Sequence, residues 1–302
     1  MTRHFLEVDD LAPAELSTVL DLAEQADPPP VLAGKGVALL FEKPSLRTRN
    51  ATEMAVVQLG GHPVCLRAEE VDVDVREPAA DAARVLSRYH AVIGARVFAH
   101  AKLERLAEAA TVPVVNLLSD DSHPCQALAD LLTLRQVWGT LAGRTVAYVG
   151  DGNNVCRSLV LAAALAGMRA HVATPAGFSL DAGSVDRARA LGGEVTVVTR
   201  PEEAAEGADA LYTDVWASMG QEDDAGRRRH AFEGFTIDER LMARAHPGAI
   251  FLHCLPAHRG EEVSAGVLDS PASVVWQQAE NRMHAMRGLL LFLLGTQPGV
   301  TA

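Results

Sequence analysis

The chain has 302 residues, 48% of them apolar, enough for two domains with sizeable cores. Its 27 basic and 39 acidic residues give a formal net charge of −12. That balance excludes a nucleic-acid binder, which needs a broad basic surface, and makes a local cluster of cations a device for one small anion.

Strand-like runs and helical patterns alternate along the chain. GVALLF (36–41) reads as a strand that leads into SLRTRNATEMAVVQLGG, a helix stopped by Gly60 and Gly61. PVCL is a second strand. EPAADAARVLSRY reads as a helix with Ala82, Val85, Leu86 and Tyr89 on one face. The strand AVIGAR, the helix AKLERLAEAA and the strand VPVVNLL follow, and the helix PCQALADLLTLRQVW leads out of the first unit. The second unit restarts with the strand RTVAYVG and the helix NVCRSLVLAAALAGM. Its further strands are AHVAT, EVTVV, ALYTDV and AIFLHCL, with the helices SVDRARALGG, PEEAAEGA and IDERLMARA between them. EDDAGRRRHAFEGF reads as a long surface loop, and ASVVWQQAENRMHAMRGLLLFLLG as a long closing helix. Two blocks of alternating strands and helices predict two doubly wound parallel-sheet α/β domains joined by long helices.

The four cysteines, Cys65, Cys125, Cys156 and Cys254, form no Cys-x-x-Cys pair, so neither a zinc nor a redox motif is expected. The opening MTRHFLEVDD lacks an apolar signal core, and the apolar run GLLLFLLG is too short to span a bilayer. The expectation is a cytoplasmic protein with free thiols. Cys65 and Cys156 are expected to be buried and inert.

The unusual polar residues share one kind of location. PSLRTR follows the first strand, Arg96 ends AVIGAR, and SHPCQ follows VPVVNLLS. GDGNN follows TVAYV, DVWASMG follows ALYT, and HCLPAHRG follows AIFL. All six lie at carboxyl ends of predicted strands, where open α/β sheets place their ligands. A scatter of solvated polar residues has no reason to do this.

Each motif has its own chemistry. In SLRTR, Ser45, Arg47, Thr48 and Arg49 crowd a helix N-terminus whose backbone N–H groups already favour an anion, which suits a phosphate; the plainer reading is a Ser45 cap beside two solvated arginines. His123 and Gln126 offer an imidazole and a carboxamide for a carbonyl oxygen and an amide nitrogen. GDGNNV has Val155 where a dinucleotide site needs its third glycine, and the next strand ends without an acidic residue, so a nicotinamide-linked dehydrogenase is excluded. Asn153 and Asn154 suit a carboxylate or amino acid, or simple capping. Asp214 offers a counter-ion for an ammonium, or a turn residue. Cys254 opens from its strand into the site, and His253 beside it points to the opposite face, which excludes a Cys–His nucleophile pair.

SLRTR, HPCQ, DVWASMGQE and HCLPAHRG together resemble the ornithine carbamoyltransferases, over nearly the whole chain. The first two motifs are shared with the wider aspartate/ornithine carbamoyltransferases; SMG after DVW, and HCLP, are of the ornithine type. The resemblance implies transfer of the carbamoyl group from carbamoyl phosphate to L-ornithine, giving L-citrulline and phosphate, in arginine metabolism. It implies a carbamoyl phosphate domain over 1–133, an ornithine domain over 134–282, and a last helix, about 283–302, that packs back onto the first. It further implies a homotrimer or a multiple of trimers, and neither metal nor organic cofactor.

On the same resemblance, Ser45, Leu46, Arg47 and Thr48 hold the phosphate. Arg96 bridges phosphate and carbonyl oxygen, His123 bonds that oxygen, Gln126 the carbamoyl nitrogen, and Arg282 with the backbone of Leu255 completes the carbamoyl contacts. Asn154, Asp214, Ser218 and Met219 bind the α-groups of ornithine, and Cys254 lies near the reacting amine. Arg96, His123, Thr48 and Cys254 are the expected catalytic groups. The chain departs from the family at Ala51 and Thr52, which implies altered packing, and in the acidic stretch EEVDVDVREP, where Asp72 and Asp74 repel a phosphate if turned inward and Arg76 can reach it instead. The alternatives are a carbamoyltransferase for aspartate, putrescine or an acylated ornithine, and a non-catalytic carbamoyl phosphate-binding paralogue.

Overall fold

The computed structural model describes residues 2–217 and 225–295, which divide into two compact units. The first unit takes Met1–Leu132 with Glu280–Ala302, and the second Thr133–Ala279.

The first unit carries a sheet of four parallel strands, β1 (Gly36–Phe41), β2 (His62–Arg67), β3 (His90–Arg96) and β4 (Val114–Leu118), in the order β2-β1-β3-β4. The helices Arg47–Gln58, Ala79–Tyr89 and His100–Ala109 make the crossovers. Ala38, Leu40, Ile93 and Val114 of the sheet pack with Ala82, Ala83, Leu86, Leu103 and Leu106 in one core. Starting at β1 and winding to either side puts the carboxyl ends of β1 and β3 next to each other.

The second unit carries five parallel strands, β5 (Thr145–Val149), β6 (Arg169–Ala173), β7 (Glu194–Val198), β8 (Ala210–Thr213) and β9 (Ile250–His253), in the order β7-β6-β5-β8-β9. The direction of winding reverses between β5 and β8, the crevice where such sheets take ligands. Its core joins Ala147, Val149, Leu211 and Phe251 to Trp216, Phe232 and Phe235. Both sheets are doubly wound and parallel, as expected.

Three expectations are corrected. The helix Ala79–Tyr89 buries Ala79, Ala82, Ala83 and Leu86, whereas Val85 and Tyr89 stand in solvent. The small alanines let this helix lie close on the sheet, and the larger apolar side chains sit beyond the contact. Part of the expected loop EDDAGRRRHAFEGF is a helix, Ala225–Ala231, and its residues 222–224 lie outside the described residues. The stretch is expected at the surface, yet Arg228 within it is buried. Cys65 is half-buried, and its thiol donates to Glu53 Oε1 at 2.8 Å. No described helix is long and apolar enough to cross a membrane.

Candidate active site

In the first unit β1 ends at Phe41, and Pro44 and Ser45 turn the chain into the helix Arg47–Gln58. Ser45 Oγ accepts the backbone N–H of Thr48 at 3.2 Å, so Ser45 does cap this helix, and its own hydrogen is left to donate. Arg47 and Thr48 occupy the first turn, where helix N–H groups lack carbonyl partners and the dipole is positive. Arg96 ends β3, and His123 and Gln126 open the helix Pro124–Trp138 after β4. Arg282 comes from the helix Val275–Leu293.

These residues converge on one hydroxyl. Thr48 Oγ1 accepts Arg282 Nη2 at 3.0 Å and, more loosely, Arg96 Nη1 at 3.4 Å. Both guanidiniums and the hydroxyl are buried. With both lone pairs accepting, Thr48 has its O–H left to offer a ligand. Arg282 Nη1 reaches Gln126 Oε1 at 2.5 Å, and Gln126 Nε2 donates to Asp130 Oδ1 at 2.8 Å. This fixes the carboxamide with its oxygen, the atom a carbamoyl N–H2 needs, toward the cations.

The electrostatics read out in His123. Burial first, then the charges of Arg282, Arg96 and Arg47, hold its pKa well below the ordinary histidine value. The imidazole is therefore neutral at physiological pH, and can donate to a carbonyl oxygen without adding a further charge to a positive site. Cations held this close repel one another, and an anion among them relieves the repulsion. Arg49 stands apart: it pairs with Glu53 one turn on at 2.9 Å, both partly exposed.

In the second unit Asp214, just past β8, is the hub. Its Oδ1 accepts Val215 N–H at 2.8 Å and the Cys254 thiol at 2.9 Å, and its Oδ2 accepts Asn153 Nδ2 at 2.8 Å. A carboxylate offers about four acceptor positions, so one remains on Oδ2 for an ammonium. Asn153 does two things at once. Its oxygen caps the helix Asn154–Leu165, accepting Val155 and Cys156 N–H at 3.0 and 3.1 Å, while its nitrogen holds Asp214. Asn154 follows as the first helical residue. The expected Ser218 and Met219 lie outside the described residues. Leu255 follows Cys254 in left-handed backbone, φ 58°, next to the cis bond to Pro256.

The second unit also holds a buried ion pair. Arg228 Nη1 bonds Asp151 Oδ2 at 2.6 Å and the Trp216 carbonyl at 2.8 Å, and its guanidinium lies 4.9 Å from the Phe178 ring centre. Burial raises the Asp151 pKa, and the Arg228 hydrogen bond opposes that. The motifs do not single out Asp130, Asp151 or Arg228, and they offer Asn153 as a cap or carboxylate ligand. Asp130 sits one helical turn after Gln126, a spacing that does signal a side-chain pair.

Two groups among the described residues bring three metal-ligating atoms within 4.8 Å: Asp214, His253 and Cys254, and His258, Glu261 and Glu262. In the first, Cys254 donates to Asp214, and His253 uses one ring nitrogen on Glu262 and the other on Leu255 N–H. Of the acidic stretch, Asp74 is turned to the fold. It accepts Ala79 N–H at 2.9 Å and Arg105 Nη2 at 2.6 Å.

Comparison with known proteins finds two family models along the chain. The carbamoyl-P binding domain of the aspartate/ornithine carbamoyltransferases matches residues 3–136, and their Asp/Orn binding domain matches residues 142–293. The ornithine carbamoyltransferase of Acidothermus cellulolyticus is 52% identical, covering 99% of each chain. The ornithine carbamoyltransferase structure from Pyrococcus furiosus superposes with TM-score 0.92 at 45% identity, covering 99% of this chain and 98% of that one. An N-acetyl-L-ornithine transcarbamylase structure also matches, with TM-score 0.85 at 31% identity, over 95% of this chain and 98% of that one. The chain belongs to the aspartate/ornithine carbamoyltransferase family.

Proposed function

We propose that the chain is an ornithine carbamoyltransferase, joining carbamoyl phosphate and L-ornithine into L-citrulline and phosphate. The observation that carries this reading is the pair of buried guanidiniums, Arg96 and Arg282, meeting on the Thr48 hydroxyl beside a neutral His123. Ser45, Leu46, Arg47 and Thr48 take the phosphate, with backbone N–H groups of the helix start adding to the side chains. Arg96 and His123 donate to the carbonyl oxygen, and Gln126 Oε1 with the Leu255 backbone accepts from the carbamoyl nitrogen. The acceptor takes the second constellation. Its α-ammonium meets Asp214, and Asn154 supplies a donor for its α-carboxylate. Ser218 and Met219 belong to this same proposed set.

The chemistry balances with these groups alone. The δ-amine of ornithine must be neutral to attack. Its lone pair forms the new C–N bond, negative charge grows on the carbonyl oxygen, and the C–O bond to phosphate then breaks. Arg96, His123 and the Thr48 O–H are donors for that growing charge. The Cys254 thiol donates to Asp214 and so stands beside the carboxylate that meets the α-ammonium. The departing phosphate dianion is the stronger acceptor for the proton that the amine sheds. No metal or organic cofactor enters any step.

The fold alone does not choose the acceptor, since an N-acetyl-L-ornithine transcarbamylase shares it. Asp214 favours a free α-ammonium over the neutral amide of an acylated ornithine. Putrescine leaves the groups that face the α-carboxylate without a partner, and aspartate brings a second carboxylate toward Asp214. The purified protein is expected to form citrulline from ornithine at rates far above those with putrescine, aspartate or N-acetylornithine. Product formation with another of these, or with none, overturns the reading.

The working assembly in this reading is a homotrimer, or a multiple of it, in the cytoplasm, serving arginine metabolism. Light scattering that finds an active monomer removes this part of the proposal.

A further inference from the structure

The turn after β9 is held from beneath by a buried carboxylate. Glu262 Oε1 accepts His253 Nε2 at 3.2 Å and the backbone N–H of His258 at 2.5 Å. Those donors are the two ends of HCLPAH, 253–258, so one oxygen ties the segment closed. Glu262 is itself fixed in place. Ile237 N–H donates to its carbonyl at 2.9 Å, and Thr236 Oγ1 donates to the neighbouring Glu261 carbonyl at 2.7 Å. The carboxylate and the His253 ring are both wholly buried.

The other side of the His253 ring faces the turn. Its Nδ1 accepts the backbone N–H of Leu255 at 2.8 Å, and its own backbone N–H donates to Gln278 Oε1 at 2.9 Å. A backbone N–H can only donate, so Nδ1 is the bare nitrogen and Nε2 carries the hydrogen, pointed at Glu262. Leu255 holds a left-handed φ of 58°, a conformation that non-glycine residues keep only when their surroundings impose it. The imidazole supplies that constraint. Cys254 lies between the two residues that the imidazole joins, and its thiol donates to Asp214 at 2.9 Å; contrary to the expectation of opposite faces, a His253 ring nitrogen stands within 4.8 Å of that thiol. Both ring nitrogens of His253 are engaged elsewhere, so the ring does not serve the thiol as a base.

We propose that Glu262 is a positioning residue for the transfer reaction: through His253 it fixes the backbone of Leu255, and with it the place of the Cys254 thiol against Asp214. This rests on the carbamoyltransferase reading above. It assigns the pair a mechanical task, that of holding Cys254 and Leu255 still while the amine attacks.

The test compares four variants for citrulline formation, with active sites counted by tight binding of a bisubstrate analogue so that rates refer to folded enzyme. Glu262→Ala loses the clamp. Its kcat is expected to fall at least about tenfold per folded site, since small misplacement of reacting groups is costly in rate. Ornithine KM, set by Asp214 and Asn154, is expected to move less than kcat. Glu262→Gln keeps an oxygen to accept from His253 Nε2 and is expected to lose less than Glu262→Ala. His253→Ala loses the acceptor for Leu255 N–H. His253→Asn restores one, because an asparagine oxygen readily accepts from the N–H two residues on, and is expected to recover part of the rate. Equal rates for His253→Asn and His253→Ala overturn the inference even if Glu262→Ala fails to fold. So does a folded Glu262→Ala enzyme with wild-type kcat. A wild-type protein that makes no citrulline overturns the functional reading, and the inference with it.

Discussion

The two candidate constellations, one in each unit, solve opposite problems. The first unit gathers arginines at the ends of β1 and β3 and lets burial and their charge keep His123 neutral. The second unit presents one carboxylate, Asp214, surrounded by donors that carry no formal charge: an amide, a thiol and a backbone N–H. In each half the charge is opposite to that of the proposed ligand group, and the surrounding groups orient that charge without cancelling it. A chain with a net charge of −12 can hold such an anion site because the cations are local and buried. The lesson is that bulk charge excludes classes of partner, whereas a few oriented side chains choose the ligand.

The largest effect is expected in the cationic half. Thr48→Val keeps the shape and removes the hydroxyl on which Arg96 and Arg282 meet. Loss of one well-placed donor to a developing oxyanion costs roughly 10²–10³ in kcat. The loss is expected in kcat and in carbamoyl phosphate KM, with ornithine KM little changed. A folded Thr48→Val enzyme that loses only ornithine affinity breaks the assignment of ligands to halves.

The mirror experiment is Asp214→Asn. A hydrogen bond to a charged group contributes about 1.5–3 kcal/mol, so ornithine KM is expected to rise about 10–100-fold, with carbamoyl phosphate KM nearly unchanged. Steady-state kinetics with each substrate varied in turn decides it. Equal effects on both substrates remove the contrast on which the comparison rests.

How far the sequence reveals these halves depends on chain distance. Ser45, Arg47 and Thr48 are contiguous because one strand feeds one helix N-terminus, and Arg96, Asn153 and Asp214 stand at or just past strand ends, whereas Arg282 comes from the middle of a helix. Partnerships made across the fold are harder to see. Nothing local in GDGNN says that Asn153 both caps its helix and holds Asp214. Glu262 returns to His253 only because a turn doubles back. Apolar spacing put Val85 and Tyr89 inside, since periodicity counts apolar residues and cannot tell that alanines make the close contact. Arg228 falls in a stretch expected at the surface, because only the folded chain brings Asp151 and Trp216 to it.

A smaller effect sharpens the electrostatic side of the contrast. The folded pKa of His123 is depressed well below the unfolded value near 6.5, so below that pH the unfolded chain binds a proton that the folded one refuses. Stability contributed by the neutral ring is present above the unfolded pKa and falls as pH drops below it, by up to about 1.4 kcal/mol per pH unit. His123→Asn is expected to flatten that slope in denaturant titrations between pH 6 and 5. A slope that does not change means that the ring is not held neutral, and that the cations do not act on it as described.

The smallest effect tests whether the anion half keeps carboxylates away from its ligand. Asp74 lies in the acidic stretch of the first unit, in left-handed backbone with φ 66°. It ties Ala79 N–H, at the start of the helix Ala79–Tyr89, to Arg105. Burial works against its ionisation, but the Arg105 hydrogen bond, the Ala79 N–H and the charges of Arg105 and Lys102 together lower its pKa. An aspartate spent in this way is part of the fold. Asp74→Ala loses a helix-start acceptor and puts alanine in a conformation that aspartate tolerates better, so unfolding free energy is expected to drop by about 1–2 kcal/mol. Carbamoyl phosphate KM is expected to stay within about twofold, because the Asp74 charge is already met by Arg105 and the Ala79 N–H. If Asp74 instead faced the phosphate, its removal would relieve a repulsion and lower that KM. Tighter carbamoyl phosphate binding in Asp74→Ala, with stability unchanged, is therefore the outcome that puts an acid inside the cationic half and ends the comparison.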